Sequence, residues 1–253
     1  MSGVVPTGPG GLITEEDVRR CPATPPIAPA PAEGEEIIPL IGIRKTIADR
    51  LSLSRRTAAD VTTVAEVDMT DVSALREHED ITFTAFVAAA TVMALAEFPI
   101  LNSRLQDDKI IISKSVHLGV AIAIDEGLKV PVIRDAQTKS LKAISAELAD
   151  LAKRGAAGQL TPAELTGSTF TITNSGVFGA VLSTPIINPP ESAILGMGRI
   201  AKEPVVLDDR IVIRKMMYLC LSYDHRVVDG APAVKFLQRV KLLLEQPGLM
   251  LRS

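Results

Sequence analysis

Leu219–Gly230 reads LCLSYDHRVVDG. An apolar run suited to a buried strand turns directly into Tyr223-Asp224-His225-Arg226 and closes on Val227-Val228-Asp229-Gly230. Titratable groups set straight after a buried strand must each find a partner, because an unpaired polar group out of water costs free energy. Imidazole has the unperturbed pKa nearest neutrality, so His225 can accept and return a proton cheaply. Asp229 can fix the ring's orientation or lock the loop that carries it. The plain alternative is a satisfied structural histidine at a strand end. The polar company that His225 keeps favours chemistry.

Working outward, Ala231–Glu245 carries Val234, Leu237, Val240 and Leu244 at helical spacing and is halted by Pro247. The apolar ending Leu249-Met250-Leu251 is expected to be buried against another element or subunit. Upstream, Val205–Ile213 with Asp208-Asp209 reads as a hairpin. Thr169–Gly179 (TFTITNSGVFG) is a β-branched strand entering a Gly-rich bend. Ser183–Gly198 (STPIINPPESAILGMG) leads into a further apolar strand.

LSYDHRVVDG resembles the active-site signature of the dihydrolipoamide acyltransferases, the core subunits of 2-oxo acid dehydrogenase complexes. Its shorter HxxxDG part is shared with chloramphenicol acetyltransferase and condensation domains and is weak alone. FTITNSGVFG and STPIINPPESAILG resemble the same family nearly residue for residue. The resemblance implies a two-layer α/β sandwich of the chloramphenicol-acetyltransferase type, built as trimers that assemble into a cube of 24 or a dodecahedron of 60. It implies acyl transfer between a dihydrolipoyl thiol and coenzyme A, both as substrates, with the lipoyl domain outside this chain and no metal. The implied site residues are His225 as base, Asp229 as loop support, and Thr173 as hydrogen-bond donor to the tetrahedral intermediate. Without the resemblance Thr173 is a strand threonine. Arg44 stands where the family carries an arginine that pairs with the aspartate; otherwise it is a solvated face residue. The channel is expected between subunits, with His225 from one and Thr173 from its neighbour. Implied partners are the 2-oxo acid decarboxylase and dihydrolipoamide dehydrogenase subunits. Two rivals stand beside this reading: a chloramphenicol-type acetyltransferase, and a silent structural core subunit. Acetyl, succinyl and branched-chain acyl groups all stay open.

The remaining chain gives organisation. Residues 1–20 hold TGPGG and then Thr14 with Asp17, an N-cap pattern opening a short helix. They resemble the second half of a peripheral subunit-binding domain that lacks its first helix, so the start looks truncated. Residues 21–36 form a Pro/Ala-rich linker, and 37–253 the mixed α/β catalytic domain. Ile43, Ile47 and Leu51 give an amphipathic helix within 37–57. Val61–Asp68 reads as a strand, Asp71–Glu79 and Thr82–Phe98 as helices, and Lys109–Ser113 and Val116–Ile124 as strands. Asp125-Glu126-Gly127 is a turn and Leu128–Arg134 a returning strand, which Pro131 assigns to an edge or bulge. His117 reads as structural. Ser140 caps a helix to Arg154 with Gly155 past its end, and Thr161–Glu164 is a capping box.

Bulk properties bound the function. The 253 residues carry 47% hydrophobic side chains but only 3% aromatics and no Trp, so the core is aliphatic. A net charge of −3 gives no electrostatic case for nucleic acid. No apolar run reaches the roughly 18 residues of a membrane span. Cys21 and Cys220 make no disulfide or metal framework, and Cys220 reads as a small buried hydrophobe. The cytoplasm is the expected compartment, with the mitochondrial matrix left open by the truncated-looking start.

Overall fold

The computed structural model describes residues 7–20 (backbone only for 18–20), 32, 34–124 and 127–251. Most of the expected linker, Cys21 and the Asp125-Glu126 turn lie outside them. The chain divides into two units, Met1–Leu40 and Ile41–Ser253.

In the first unit, helix α1 spans Glu15–Arg20. Thr14 caps it as its sequence suggests, Oγ1 accepting from the Asp17 N–H at 3.3 Å. The Asp17 carboxylate in turn accepts from the Thr7 hydroxyl and from the N–H groups of Thr7 and Thr14. These donors, the Thr7 hydroxyl foremost, hold it well below the usual carboxylate range.

The second unit is built on a seven-stranded mixed sheet. Its strands are β1 (Asp60–Asp68), β4 (Leu118–Val120), β7 (Val132–Ile133), β8 (Phe170–Asn174), β9 (Ala193–Met197), β10 (Ala201–Leu207) and β11 (Arg210–Asp224). Their order is β1-β11-β9-β8-β4-β7, with β10 paired to β11. β4, β8 and β9 run parallel, and the other pairs are antiparallel. Side chains alternate between faces with a period of two. Phe170 and Ile172 of β8, Leu195 of β9, and Leu219, Leu221 and Tyr223 of β11 enter one aliphatic core. Helices α3 (Thr70–Arg76), α4 (Phe83–Glu97), α5 (Leu141–Ala156) and α6 (Gly230–Glu245) contribute to the same core. This is the α/β layering anticipated from the sequence. Cys220 lies on the opposite face, buried, its thiol pushed up by desolvation.

Several boundaries differ from the sequence reading. Helix α2 runs Gly42–Thr57, and residues 37–41 are outside it. Its apolar stripe is real yet uncovered: Ile43, Leu51 and Leu53 are exposed, and only Ser54 is buried, donating to the Ile187 carbonyl at 2.6 Å. The run Val116–Ile124 is two strands: β4 pairs with β8 and β7, the Ala121 N–H making the last bond of the β4–β8 ladder to the Ile172 carbonyl. The chain then forms a separate hairpin of β5 (Ile122–Ile124) and β6 (Gly127–Lys129). A second hairpin pairs Lys109–Ile112 (β3) with Ser103–Gln106 (β2), a strand the sequence did not reveal. Gly155 is inside α5, not beyond it: a Cβ there would lie 2.3 Å from Ile122 Cδ1. The expected strand Leu128–Arg134 is instead two, β6 and β7 in different sheets, with Pro131 between them and in neither; β7 is the last strand in its sheet's order. Asp208 and Asp209, both at positive φ, turn β10 into β11. Met250 of the apolar ending is buried, whereas Leu249 and Leu251 are exposed. Among the described residues no helix is long and apolar enough to cross a membrane.

Candidate active site

β11 delivers His225 to the surface. Its N–H donates to the Ala59 carbonyl at 2.9 Å, and the N–H groups of Val227 and Val228 both return to the Asp224 carbonyl. Val227 and Val228 are buried and anchor the loop. Asp224, also buried, accepts from Arg226 Nη2 at 2.6 Å, from its Nε at 3.0 Å and from its N–H at 3.1 Å. Burial alone would raise the Asp224 pKa, but the Arg226 and Ala59 donors outweigh it and the net shift is downward. Two of the four polar residues read in the sequence, Asp224 and Arg226, thus partner each other, and the Tyr223 hydroxyl pairs with Thr63 at 3.3 Å. The His225 ring lies 5.8 Å from that of Tyr223, is exposed, and makes no side-chain hydrogen bond among the described residues.

Asp229 is the residue before α6, exposed, and its side chain does not cap the helix. Among the described residues of one chain no ion pair joins it to Arg44. Arg44 sits in the first turn of α2, roughly 16 Å up the helix from Arg55. Arg55 pairs with Asp60, which lies opposite Asp224 in the β1–β11 register. Within one chain, the pair that locks the histidine loop is Arg226–Asp224 rather than Arg44–Asp229.

Thr173 is elsewhere. It projects from the sheet face opposite the helices into a cleft of about 920 Å³. The walls include Ile43, Ile47, Arg50 and Leu51 of α2, Pro185 and Ile186, and the floor Thr171, Thr173 and Ile194. Its hydroxyl has no hydrogen-bond partner among the described residues. His225 does not line this cleft. Thr173 is in register with Gly196, and Gly196 with Cys220 of β11. Crossing two strands and then following β11 to His225 puts the two side chains roughly 20 Å apart. One chain therefore carries both halves of the expected site but cannot bring them together.

Two cleft residues escaped the sequence reading. His117, assigned a structural role, is in the wall; its Nδ1 accepts from the Asp135 N–H at 3.1 Å, which leaves the ring proton on Nε2. Glu191 was not singled out at all. It is buried, and its Oε1 accepts from Ser168 (2.5 Å), Thr171 (2.8 Å) and Asn188 (2.8 Å). Oε2 is buried with no partner among the described residues. Desolvation pushes its pKa up to about 7 against these three donors and Arg50. The available signal was an acid between Pro190 and a wholly buried strand. No cluster of metal-ligating side chains occurs among the described residues.

The fold is that of catalytic cores solved in multienzyme complexes. A structure of the cubic core of the pyruvate dehydrogenase multienzyme complex superposes with a TM-score of 0.84 at 34% identity, covering 90% of this chain and 99% of that one. The dihydrolipoamide acetyltransferase of Azotobacter vinelandii, studied for the catalytic role of a serine, a histidine and an asparagine, gives 0.83 at 33%, covering 89% and 100%. The family of 2-oxoacid dehydrogenases acyltransferases (catalytic domain) matches residues 32–252, and the chain belongs to it. The succinyltransferase component of the 2-oxoglutarate dehydrogenase complex of Rickettsia typhi is 42% identical over 97% of this chain. The chain spans 66% of that relative's length.

Proposed function

We propose that this chain transfers an acyl group between a dihydrolipoyl arm and coenzyme A in a 2-oxo acid dehydrogenase complex, and forms that complex's core. The observation that carries the reading is a spacing. The serine, histidine and asparagine of the Azotobacter enzyme stand 52 and 4 residues apart, the intervals that separate Thr173 from His225 and His225 from Asp229. A thiol with a pKa of about 8.5 is only a few per cent ionised at neutral pH. His225 takes the proton as the coenzyme A sulfur attacks the thioester carbonyl. The oxyanion accepts from the Thr173 hydroxyl. Collapse breaks the bond to the dihydrolipoyl sulfur, which leaves with the proton returned by His225. Base catalysis of this kind is worth roughly 10²–10⁴ in rate, and one oxyanion donor roughly 10²–10³.

The roughly 20 Å between His225 and Thr173 in one chain supports a site completed by a second copy, in a trimer. Uncovered apolar surfaces support assembly: the α2 stripe, Val177 and Phe178, and Val206, Ile211 and Ile213 of the β10–β11 hairpin. Arg44 is proposed to reach Asp229 only in that assembly. A cubic core is favoured over an icosahedral one by the cubic neighbour. We further infer that residues 1–20 belong to a docking segment for the decarboxylase and dihydrolipoamide dehydrogenase, that 21–36 link it to the catalytic domain, and that a lipoyl domain supplies the arm. The bacterial relatives favour the cytoplasm. The acyl group is succinyl in the Rickettsia relative and acetyl in the Azotobacter one. Rates with acetyl-, succinyl-, isobutyryl- and isovaleryl-CoA against dihydrolipoamide, alongside the sedimentation mass, test the assignment. Absence of turnover with all four would overturn it.

A further inference from the structure

One wall of the Thr173 cleft is held in place by a residue outside it. Residues 165–169 line the cleft and lead into β8. They follow the 3-10 turn Pro162–Leu165, and the end of such a turn leaves carbonyls without an internal partner. Arg134, just past β7, supplies the donor. Its Nη2 donates to the Ala163 carbonyl at 2.9 Å and to the Thr166 carbonyl at 2.6 Å. Gly167, at positive φ, packs so closely against the same guanidinium that a Cβ there would stand 3.0 Å from Nη1. The other end of the wall is tied to the sheet: the Thr169 N–H donates to the His117 carbonyl at 2.8 Å, and the Ser168 hydroxyl to Glu191. Arg134 itself is exposed and does not line the cleft.

Position decides what this wall can touch. Thr169 stands immediately before β8 and four residues before Thr173, so the two share a face with Cα atoms about 13 Å apart. A carbonyl reacting beside Thr173 does not reach the wall, but the arm behind the sulfur does. Extended at about 3.5 Å per three bonds, the pantetheine arm of coenzyme A and a dihydrolipoyl-lysine arm each span roughly 15 Å. We propose that Arg134 is a positioning residue: by holding the Ala163 and Thr166 carbonyls it fixes the wall along which one thiol-bearing arm lies, and so sets that substrate's affinity without touching the reacting atoms. This rests on the acyl-transfer reading above and adds a residue to it.

The test is steady-state kinetics on the full chain, with the acyl-CoA that wild type uses fastest and a peptide bearing dihydrolipoyl-lysine. Arg134→Met is expected to raise KM for one of the two about tenfold, the value of one hydrogen bond, with the other KM within twofold and kcat within threefold. The urea midpoint is expected to stay near wild type, as for an exposed substitution. Arg134→Lys, which keeps one charged donor, is expected to recover most of the lost affinity. Amide hydrogen exchange across 164–168 is expected to quicken in Arg134→Met. In wild type, the thiol whose KM responds is expected to slow exchange across 165–169 when bound alone, a readout that stands even if Arg134→Met fails to fold. Unchanged KM for both substrates, equal losses for both with a lowered urea midpoint, or no protection of the wall by either thiol overturns the inference alone. Wild type that turns over none of the four acyl-CoAs overturns the acyl-transfer reading with it.

Discussion

Replacing Asp224 with alanine cuts the contact on which the presentation of His225 depends. The buried carboxylate accepts from Arg226 Nη2 at 2.6 Å and Nε at 3.0 Å, from the Arg226 N–H at 3.1 Å and from the Ala59 N–H at 3.3 Å. The partners left behind can reach water: the Arg226 side chain is 47% exposed, and Ala59 is exposed. The loss is therefore that of charge-assisted hydrogen bonds, roughly 2 kcal/mol, rather than the larger cost of an orphaned buried charge. Function responds more steeply, because a misplacement of about 1 Å in a reacting group can cost on the order of 10² in rate. Urea unfolding and steady-state kinetics on the same preparations measure both. The expected result is a stability loss near 2 kcal/mol, turnover down at least about tenfold, and KM for either thiol within about threefold. The pH dependence has a fixed sign. The folded pKa of Asp224 lies below its unfolded value near 3.9, so its contribution is present above that value and is lost as pH falls through the folded one. Wild type and variant thus converge in acid. Full turnover despite the lost stability would refute the claim that this pair holds the imidazole in place.

Thr173→Val is expected to lower kcat by roughly 10²–10³ with little change in KM and little change in stability. Its hydroxyl bonds nothing among the described residues, so a change confined to KM would contradict the oxyanion role. Glu191→Gln is expected to flatten the pH dependence of unfolding. The folded pKa of Glu191 is raised to about 7, so its contribution is full below the ordinary carboxylate range and falls by roughly 3 kcal/mol as pH rises through 7. A wild-type profile as flat as the variant's would contradict this. Gly155→Leu is expected to cost roughly 1–3 kcal/mol by overpacking against Ile122; an unchanged urea midpoint would show that the hairpin yields freely.

The elements that the sequence disclosed best are those whose signals are local. Ser140 and Thr82 accept from the N–H groups of Ala143 and Ala85, as N-caps do. The apolar-to-polar switch at Tyr223–Arg226 marks the end of β11 because burial and strand pairing end together there. What stayed hidden depends on partners far along the chain. The place of Gly155 inside α5 is set by Ile122, which a Cβ at that position would strike. The unusual state of Glu191 is set by Ser168, Thr171 and Asn188, which the linear order does not bring together at one oxygen. Arg44 illustrates the opposite limit. A resemblance suggested its partner, yet among the described residues of one chain no ion pair joins Arg44 to Asp229.

The central claim is that no single copy of this chain contains a working site. His225→Ala and Thr173→Val proteins, each expected at about a per cent of wild-type turnover or less, can be unfolded together in equal amounts and refolded as mixed assemblies. In a cyclic trimer with random mixing, about a quarter of the sites then receive an intact His225 from one copy and an intact Thr173 from its neighbour. The account predicts acyl transfer recovered to about that fraction of the refolded wild type. Refolded mixtures as inactive as either parent would contradict it.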